Sequence, residues 1–543
     1  MTDNNSNRMV KHSGQVFTPD FLVISILDYA GYTQGNILQK HVIDNSCGDG
    51  AFLCEITNRY CCDFIALHDS TNGLKEELEQ YIHGIELDPI AYENCLYNLT
   101  TIASEHGVED VKWNVLNTSA LSVTQYNGVM DYVIGNPPYV RVHNLEDDYE
   151  EVKSFSFAQD GMTDLYLVFY ELGLRMLNKT GKLCYITPSS WLSSLAATNM
   201  RKYIMSYRNL VGLIDLGHFQ AFENATTYTM IALFDLQHTN NQIEYYMYSE
   251  ESHDKVYVDS FTYEQMSIGN NFYVASRKDL EMIRAIRTTP THRFVQVKNG
   301  FATLADKVFI KDVPFKALTI PILKASTGKW YQGFFPYDTS GKPLSKEEIF
   351  SHPEISEYLE NHKADLLKKH TEEQNPYWYL YGRSQALKDV YSMKYSINSI
   401  IKDVKTIRLI GVPVGSGLYS GLYILTEVPF DILESAIKSK EFINYLAMLK
   451  NYKRGGYYTY SSKDLEQYLN YKISQHERAE ESLELEKRYK CYTEDCGPIS
   501  ITADEMRAYR DKHKPTVLKS DFCLSSARTE TVAKGVFNSK INI

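Results

Sequence analysis

Three short runs in the sequence place glycines, amides and carboxylates where a ligand can be met. Asp44-Asn45-Ser46-Cys47-Gly48-Asp49-Gly50-Ala51-Phe52 follows a β-branched run and opens a helical pattern. Glycines at such a turn let the backbone approach a ligand closely, because no side chain intervenes. Gly84-Ile85-Glu86-Leu87-Asp88 ends the next apolar run, where a carboxylate can accept hydrogen bonds from ribose hydroxyls. Asp131-Tyr132-Val133-Ile134-Gly135-Asn136-Pro137-Pro138-Tyr139 closes a third run. Singly, the first is also what an ordinary strand-to-helix turn looks like, and the last an Asn-Pro-Pro turn ending a strand. The first two together favour nucleoside binding. Glu86 lies 36 residues beyond Gly50, further than the usual spacing of about 20. An insertion over 61–80, containing the acidic stretch Lys75-Glu76-Glu77-Leu78-Glu79, accounts for the excess.

These runs need elements to hold them. Strands are predicted at 41–44, 81–87, 111–116, 131–136, 182–187, 211–215 and 229–236, with amphipathic helices between several of them. The clearest helix is 163–177, where Leu165, Val168, Phe169, Leu172 and Met176 share one face. Strands alternating with helices predict an α/β fold with a mainly parallel sheet covered on both sides. Ligands of such sheets bind beyond the carboxyl ends of the strands. After about residue 270 the βαβ rhythm stops, and 271–473 is rich in Tyr, Lys, Gly and isolated Pro. The expected organisation is therefore 1–270 as one domain and 271–473 as a second, mixed α+β domain. Residues 474–543 are expected to be a charged helix and a polar tail.

With Asn136-Pro137-Pro138-Tyr139 intact and both nucleoside signals ahead of it, the chain resembles the TaqI-type N6-adenine DNA methyltransferases of restriction-modification systems. The resemblance is specific over most of 14–236. It implies the Rossmann-like fold of S-adenosylmethionine (SAM)-dependent methyltransferases, with SAM as methyl donor and no metal. An exocyclic adenine amine is a poor nucleophile because its lone pair is delocalised into the ring. In the reading the family implies, the Asn136 side-chain oxygen and the Pro137 backbone carbonyl accept its two N–H bonds. Pro138 stiffens the chain that carries that carbonyl, and acceptors held in advance stabilise the charge developing on nitrogen. Tyr139 would stack on the extruded base, offsetting part of the cost of flipping it.

Other positions follow the family residue by residue. Gly14-Gln15-Val16-Phe17-Thr18-Pro19 resembles the amino-terminal motif, which makes Gln15 and Thr18 cofactor contacts; a helix start at Thr18-Pro19-Asp20 is compatible with the same residues. Asp44, Cys47, Gly48, Gly50 and Glu86 fall in the SAM-binding signals. Phe169 aligns with the aromatic that packs on the SAM adenine, and Phe222 with a second aromatic against the flipped base. Where the family usually has an acid after the third strand, this chain offers Asn117. The resemblance continues more loosely through Gly300–Lys307 and Trp378–Gln385, which look like the target-recognition domain. Lys324, Arg383, Lys388 and Lys394 are its candidate DNA contacts.

Composition bounds the reading. The net charge of −12 argues mildly against nucleic acid, but 361–410 holds nine Lys/Arg against five Asp/Glu, and 42 tyrosines suit a surface that meets bases. Nine scattered cysteines without a C-x-x-C pair make neither a disulfide framework nor a zinc site. The polar start and the lack of a long apolar run imply a cytoplasmic protein with no membrane partner. The expected function is sequence-specific transfer of a methyl group from SAM to adenine N6 in double-stranded DNA, as the modification enzyme of a type II system. A cognate restriction endonuclease would be encoded separately. Asn-Pro-Pro-Tyr also serves methylation of ribosomal RNA amines and of a protein glutamine, so those substrates stay open, as does a non-catalytic DNA specificity protein. The 270-odd residues beyond the catalytic motifs favour DNA.

Overall fold

The computed structural model describes residues 18–142, 149–222, 227–310, 313–368 and 370–495. The described residues up to Gln475 fall in one compact unit. Its centre is a nine-stranded sheet in the order β3-β2-β1-β4-β5-β7-β6-β8-β9. The strands are β1 Val42–Asp44, β2 Ile82–Glu86, β3 Asn114–Asn117, β4 Met130–Gly135, β5 Leu177–Pro188, β6 Leu210–Asp215, β7 Thr229–Asp235, β8 Ile243–Ser249 and β9 Asp254–Phe261. The first five run parallel, and β7 is antiparallel to both β5 and β6. The order 3-2-1-4-5-7-6, with strand seven reversed, is a mainly parallel Rossmann-like sheet, the fold class expected from the sequence.

The central strands are apolar almost without interruption because both faces are covered. Helices Asp20–Ala30, Ala51–His68 and Pro89–Glu105 cover one face, where Leu22, Leu27, Leu53, Ile56 and Leu99 close on Val42, Ile82 and Ile134. Helices Leu165–Met176 and Thr198–Tyr207 cover the other, burying Leu167, Val168, Met200 and Ile204 against Ile43, Val133 and Leu183. The insertion expected over 61–80 is a lengthened helix followed by a second one, Leu74–Tyr81, which leads directly into β2.

Two features exceed the expectation. The sheet extends past β6 through β8 and β9, an antiparallel pair that the sequence reading did not separate. Beyond 270 the elements are more regular than the sequence texture suggested. Val295–Asn299, Leu422–Thr426, Lys394–Ile397 and Leu409–Val412 form a four-stranded antiparallel sheet. Lys329–Phe334, Thr319–Lys324 and Gly417–Tyr419 form a three-stranded mixed one. The apolar cluster under β4 and β5 continues through Ile283, Ile397, Leu433, Tyr445 and Leu465. Among the described residues no helix is long and apolar enough to cross a membrane. Helix Ser462–Asp495 continues beyond Gln475, and there His476 and Glu480 pair one turn apart.

Candidate active site

The parallel strands β1 and β4 are hydrogen-bonded neighbours, so the turns that leave their carboxyl ends lie side by side. Asp44 ends β1 with its side chain buried, and Oδ1 accepts a hydrogen bond from the Ser46 amide at 3.0 Å. Burial, assisted by the nearby Glu86 carboxylate and opposed by the Ser46 amide, raises its carboxyl to about 7. Gly135, the last residue of β4, gives this carboxylate its room: a Cβ there would stand 2.5 Å from Asp44 Oδ1. The hydroxyl of Ser46 donates to the backbone carbonyl of Asn136 at 3.4 Å. The glycine turn and the Asn-Pro-Pro-Tyr turn are therefore in direct contact.

The glycine turn is built on backbone conformations that favour glycine. Gly48 has φ +57° and Gly50 φ +95°, and a Cβ on Gly50 would meet Cys95 Sγ at 2.9 Å. Glu86 braces the turn from β2. One carboxylate oxygen accepts from the Gly48 amide at 2.8 Å, the other from the Asp88 amide at 2.7 Å. Cys47 is buried, its Sγ 3.9 Å from that of Cys95, and the six cysteines Cys47, Cys54, Cys61, Cys62, Cys95 and Cys184 are all free thiols. A turn whose amides are exposed by glycine, flanked by a carboxylate at the end of the next strand, fits a nucleoside cofactor such as SAM. Asn117 ends β3, and its amide nitrogen donates to the carbonyls of Glu86 and Leu87.

Asn136 is gripped at both ends of its amide. Its Nδ2 donates to Thr18 Oγ1 at 3.1 Å, and its Oδ1 accepts from the Tyr139 hydroxyl at 2.6 Å. The same hydroxyl reaches the Ile186 carbonyl at 3.0 Å, and burial raises its pKa well above the ordinary tyrosine value. The Tyr139 ring meets two others edge-on, Tyr166 at 6.4 Å and Phe222 at 6.0 Å between centroids. Phe222 is itself buried. Pro137 is buried and Pro138 partly so.

The structure thus gathers Thr18, Asp44, Cys47, Gly48, Gly50, Glu86, Asn136, Tyr139 and Phe222 around two adjacent strand ends. Phe169 is on the helix Leu165–Met176 that packs over β4, buried in the apolar cluster. Gln15 lies outside the described residues. Of the lysines and arginines offered as DNA contacts, Arg383 and Lys388 are exposed, and Lys324 places its ammonium 5.9 Å from the Tyr419 ring. Lys394 needs correction. It is 3% exposed, with Nζ donating to the carbonyls of Asp389, Val390 and Ser392, and burial lowers its pKa to about 8. An ammonium whose three hydrogens are spent on buried carbonyls braces the fold; it does not contact a phosphate.

Sequence reasoning missed several residues. Asn45 is buried beside Asp44, and its Oδ1 accepts from the Tyr185 hydroxyl at 2.8 Å. Asp215, at the end of β6, forms a buried ion pair with Lys450 at 2.6 Å and accepts from the hydroxyl of Tyr245 at 3.2 Å. Asn45 and Gly135 sit inside quoted motifs and were open to inspection. Asp215 and Lys450 are 235 positions apart, and no spacing rule connects them.

Residues 56–222 match the family model of the Eco57I restriction-modification methylases. Over that stretch the chain is similar to these enzymes. It is 24% identical over 430 residues to the Type II methyltransferase M.BstVI of Geobacillus stearothermophilus, covering 69% of this chain and 74% of the relative. To the Type II restriction enzyme and methyltransferase RM.Eco57I of Escherichia coli it is 23% identical over 478 residues. That alignment takes in 69% of this chain but about half, 48%, of the relative. Among solved structures, the Type IIL restriction-modification enzyme MmeI in complex with DNA superposes with a TM-score of 0.55 at 14% identity, over 84% of this chain and 64% of that one. At that identity the likeness is one of fold. The methylase match begins after Thr18, Asp44 and the glycine turn and ends on Phe222, so it contains Glu86 and the whole Asn136–Tyr139 motif.

Proposed function

We propose that this chain is a site-specific DNA methyltransferase that transfers a methyl group from SAM to the N6 amine of a flipped-out adenine, as the modification enzyme of a type II restriction-modification system. The observation that carries the reading is the contact between the glycine turn after β1 and the Asn136–Tyr139 turn after β4. Group transfer needs donor and acceptor held in near-attack geometry, and these two turns are joined by the Ser46–Asn136 hydrogen bond and by Asp44 against Gly135. The DNA part of the proposal draws on MmeI, a protein of like fold whose structure is a complex with DNA, and on relatives that are a Type II methyltransferase and a Type II restriction enzyme and methyltransferase.

Gly48, Gly50, Glu86, Asp44 and Thr18 would hold SAM, with Phe169 and Asn117 toward its adenine. Bound there, SAM supplies an electrophilic methyl group. The work of the chain is to present the nitrogen. Thr18 and Tyr139 fix the plane of the Asn136 amide, so its oxygen is aimed before substrate arrives and loses little freedom on binding. An amide oxygen has two acceptor positions, so being held by Tyr139 is compatible with accepting a substrate N–H. The Pro137 carbonyl accepts the other N–H, and Tyr139 and Phe222 form the aromatic wall. In the division of labour we propose, residues 1–270 carry catalysis, 271–473 read the DNA, and 474–543 form a charged tail. A separately encoded endonuclease would be the functional counterpart.

Purified protein with methyl-labelled SAM should label duplex DNA. Label entering ribosomal RNA or a protein glutamine instead would sink the DNA reading. Asn136→Ala should stop transfer while SAM affinity is kept, because Asn136 acts on the amine; a variant retaining a tenth of the wild-type rate would count against that role.

A further inference from the structure

Residues 451–460, Asn-Tyr-Lys-Arg-Gly-Gly-Tyr-Tyr-Thr-Tyr, form a hairpin whose two faces differ in kind. Its strands, Tyr452–Lys453 and Tyr457–Thr459, pair antiparallel, and the second also pairs with Ile400–Ile401. Tyr452 is opposite Tyr458, and Lys453 is opposite Tyr457. Side chains alternate across a strand, so the first pair faces one way and the second the other.

The Tyr452–Tyr458 face is pinned to the methylase sheet. Their rings meet the His218 ring at 4.6 and 4.9 Å, and Tyr452 also meets Tyr228 at 5.2 Å. Just before the hairpin, Lys450 makes its buried ion pair with Asp215, donates to the Tyr245 hydroxyl at 2.8 Å, and so fixes the hairpin root to the end of β6. Burial works against the charge on Lys450, but Asp215 and Tyr452 outweigh it and keep the ammonium protonated. Four residues beyond His218 on the same segment is Phe222, whose ring approaches that of Tyr139.

The opposite face is basic and open. Lys453 and Arg454 are exposed, and among the described residues neither has an ion-pair partner. Exposed Lys402 places its ammonium 5.9 Å from the Tyr457 ring. The turn is Arg454-Gly455-Gly456, with Gly455 at φ +82° and Gly456 at φ +80°. Two glycines in this left-handed conformation let the chain reverse tightly just after Arg454. No acidic residue occurs between 450 and 460, in a chain whose net charge is −12. The segment, anchored through Tyr452, Tyr458 and Lys450, thus carries Tyr457 and two exposed cations, with exposed Lys402 beside them as a third.

We infer that this hairpin, with Lys402, grips the phosphodiester backbone of duplex DNA beside the target base. The inference rests on the DNA-methyltransferase reading. Backbone contacts of this sort fix orientation without reading sequence, so their loss weakens cognate and unrelated DNA alike. The test uses the full chain, a labelled duplex carrying the methylated site and a duplex of scrambled sequence, with binding followed across a salt series. Lys453→Ala/Arg454→Ala should lose about tenfold or more in affinity on both duplexes, and log K against log salt should become shallower by about 2. Lys402→Ala should shift the same slope by about 1. SAM affinity and melting temperature should stay at wild-type values, which separates the effect from misfolding. Wild-type salt slopes in both variants would overturn the inference while leaving the DNA reading intact. A wild-type protein that neither binds nor methylates duplex DNA would overturn the underlying reading, and the hairpin assignment with it.

Discussion

At the scale of single residues, the hydroxyl of Tyr139 ties its ring cluster to the Asn136 amide. From sequence, Tyr139 is only a flat ring. In the structure it also donates to Asn136 Oδ1, so the ring and the hydroxyl have separable effects. Tyr139→Phe keeps the ring and removes one hydrogen bond, for an expected loss of ~1 kcal/mol, roughly fivefold in turnover. Tyr139→Ala removes the ring too and should lose a further ~1–3 kcal/mol, part of it restored by a mismatch opposite the target base. Equal rates for Phe and wild type would show that the hydroxyl does not matter to Asn136. Asp44 gives a second prediction. Its carboxyl is raised by burial from near 4 to about 7, so its contribution to stability is present below about pH 4 and lost as pH rises to 7. Without added SAM, the stability of wild type relative to Asp44→Asn should therefore fall over that window, by up to ~4 kcal/mol. A difference that is flat with pH in urea unfolding would place the carboxyl in water.

At the scale of elements, most of the strands β1–β7 were legible because strands buried on both faces read as dense apolar runs. The amphipathic helix over 163–177 appears as Leu165–Met176 for the same reason. The pair β8 and β9 was not legible: β9, on the sheet edge, leaves Val256, Tyr257 and Val258 exposed, which blurs the pattern of a covered strand. In 271–473 the strands are two to six residues long and their partners are distant in sequence, so periodicity had too little to work with. Lys394 shows the limit most sharply, since a lysine in a basic stretch looks solvated until its three carbonyl partners are seen. The motif positions were legible, whereas the bonds among Thr18, Asn136 and Tyr139 depend on tertiary contact. Gly50 is the element-scale test. Alanine there must adopt φ +95° and push Cβ toward Cys95, at a cost of ~1–3 kcal/mol. Gly50→Ala should weaken SAM binding in calorimetry far more than Asn136→Ala does, and equal SAM affinities would remove Gly50 from the cofactor cradle.

At the scale of the whole molecule, the buried Asp215–Lys450 pair joins the end of β6 to a segment 235 residues later. Removing one member of a buried pair strands the other, typically at ~3–5 kcal/mol. Lys450→Ala should therefore lower the melting temperature markedly, and Asp215→Asn in the same chain should recover part of the loss; additive losses would mean that the two side chains do not depend on each other. That join matters to the larger account, in which a catalytic sheet and a DNA-reading region act on one base. The most direct test of that account is methylation-aware sequencing of genomic DNA from a methylation-free host expressing the full chain. The account predicts N6-methyladenine in one defined sequence context, absent from cells expressing Asn136→Ala. Methylation on cytosine, on adenines without a shared context, or unchanged in the Asn136→Ala host would contradict it.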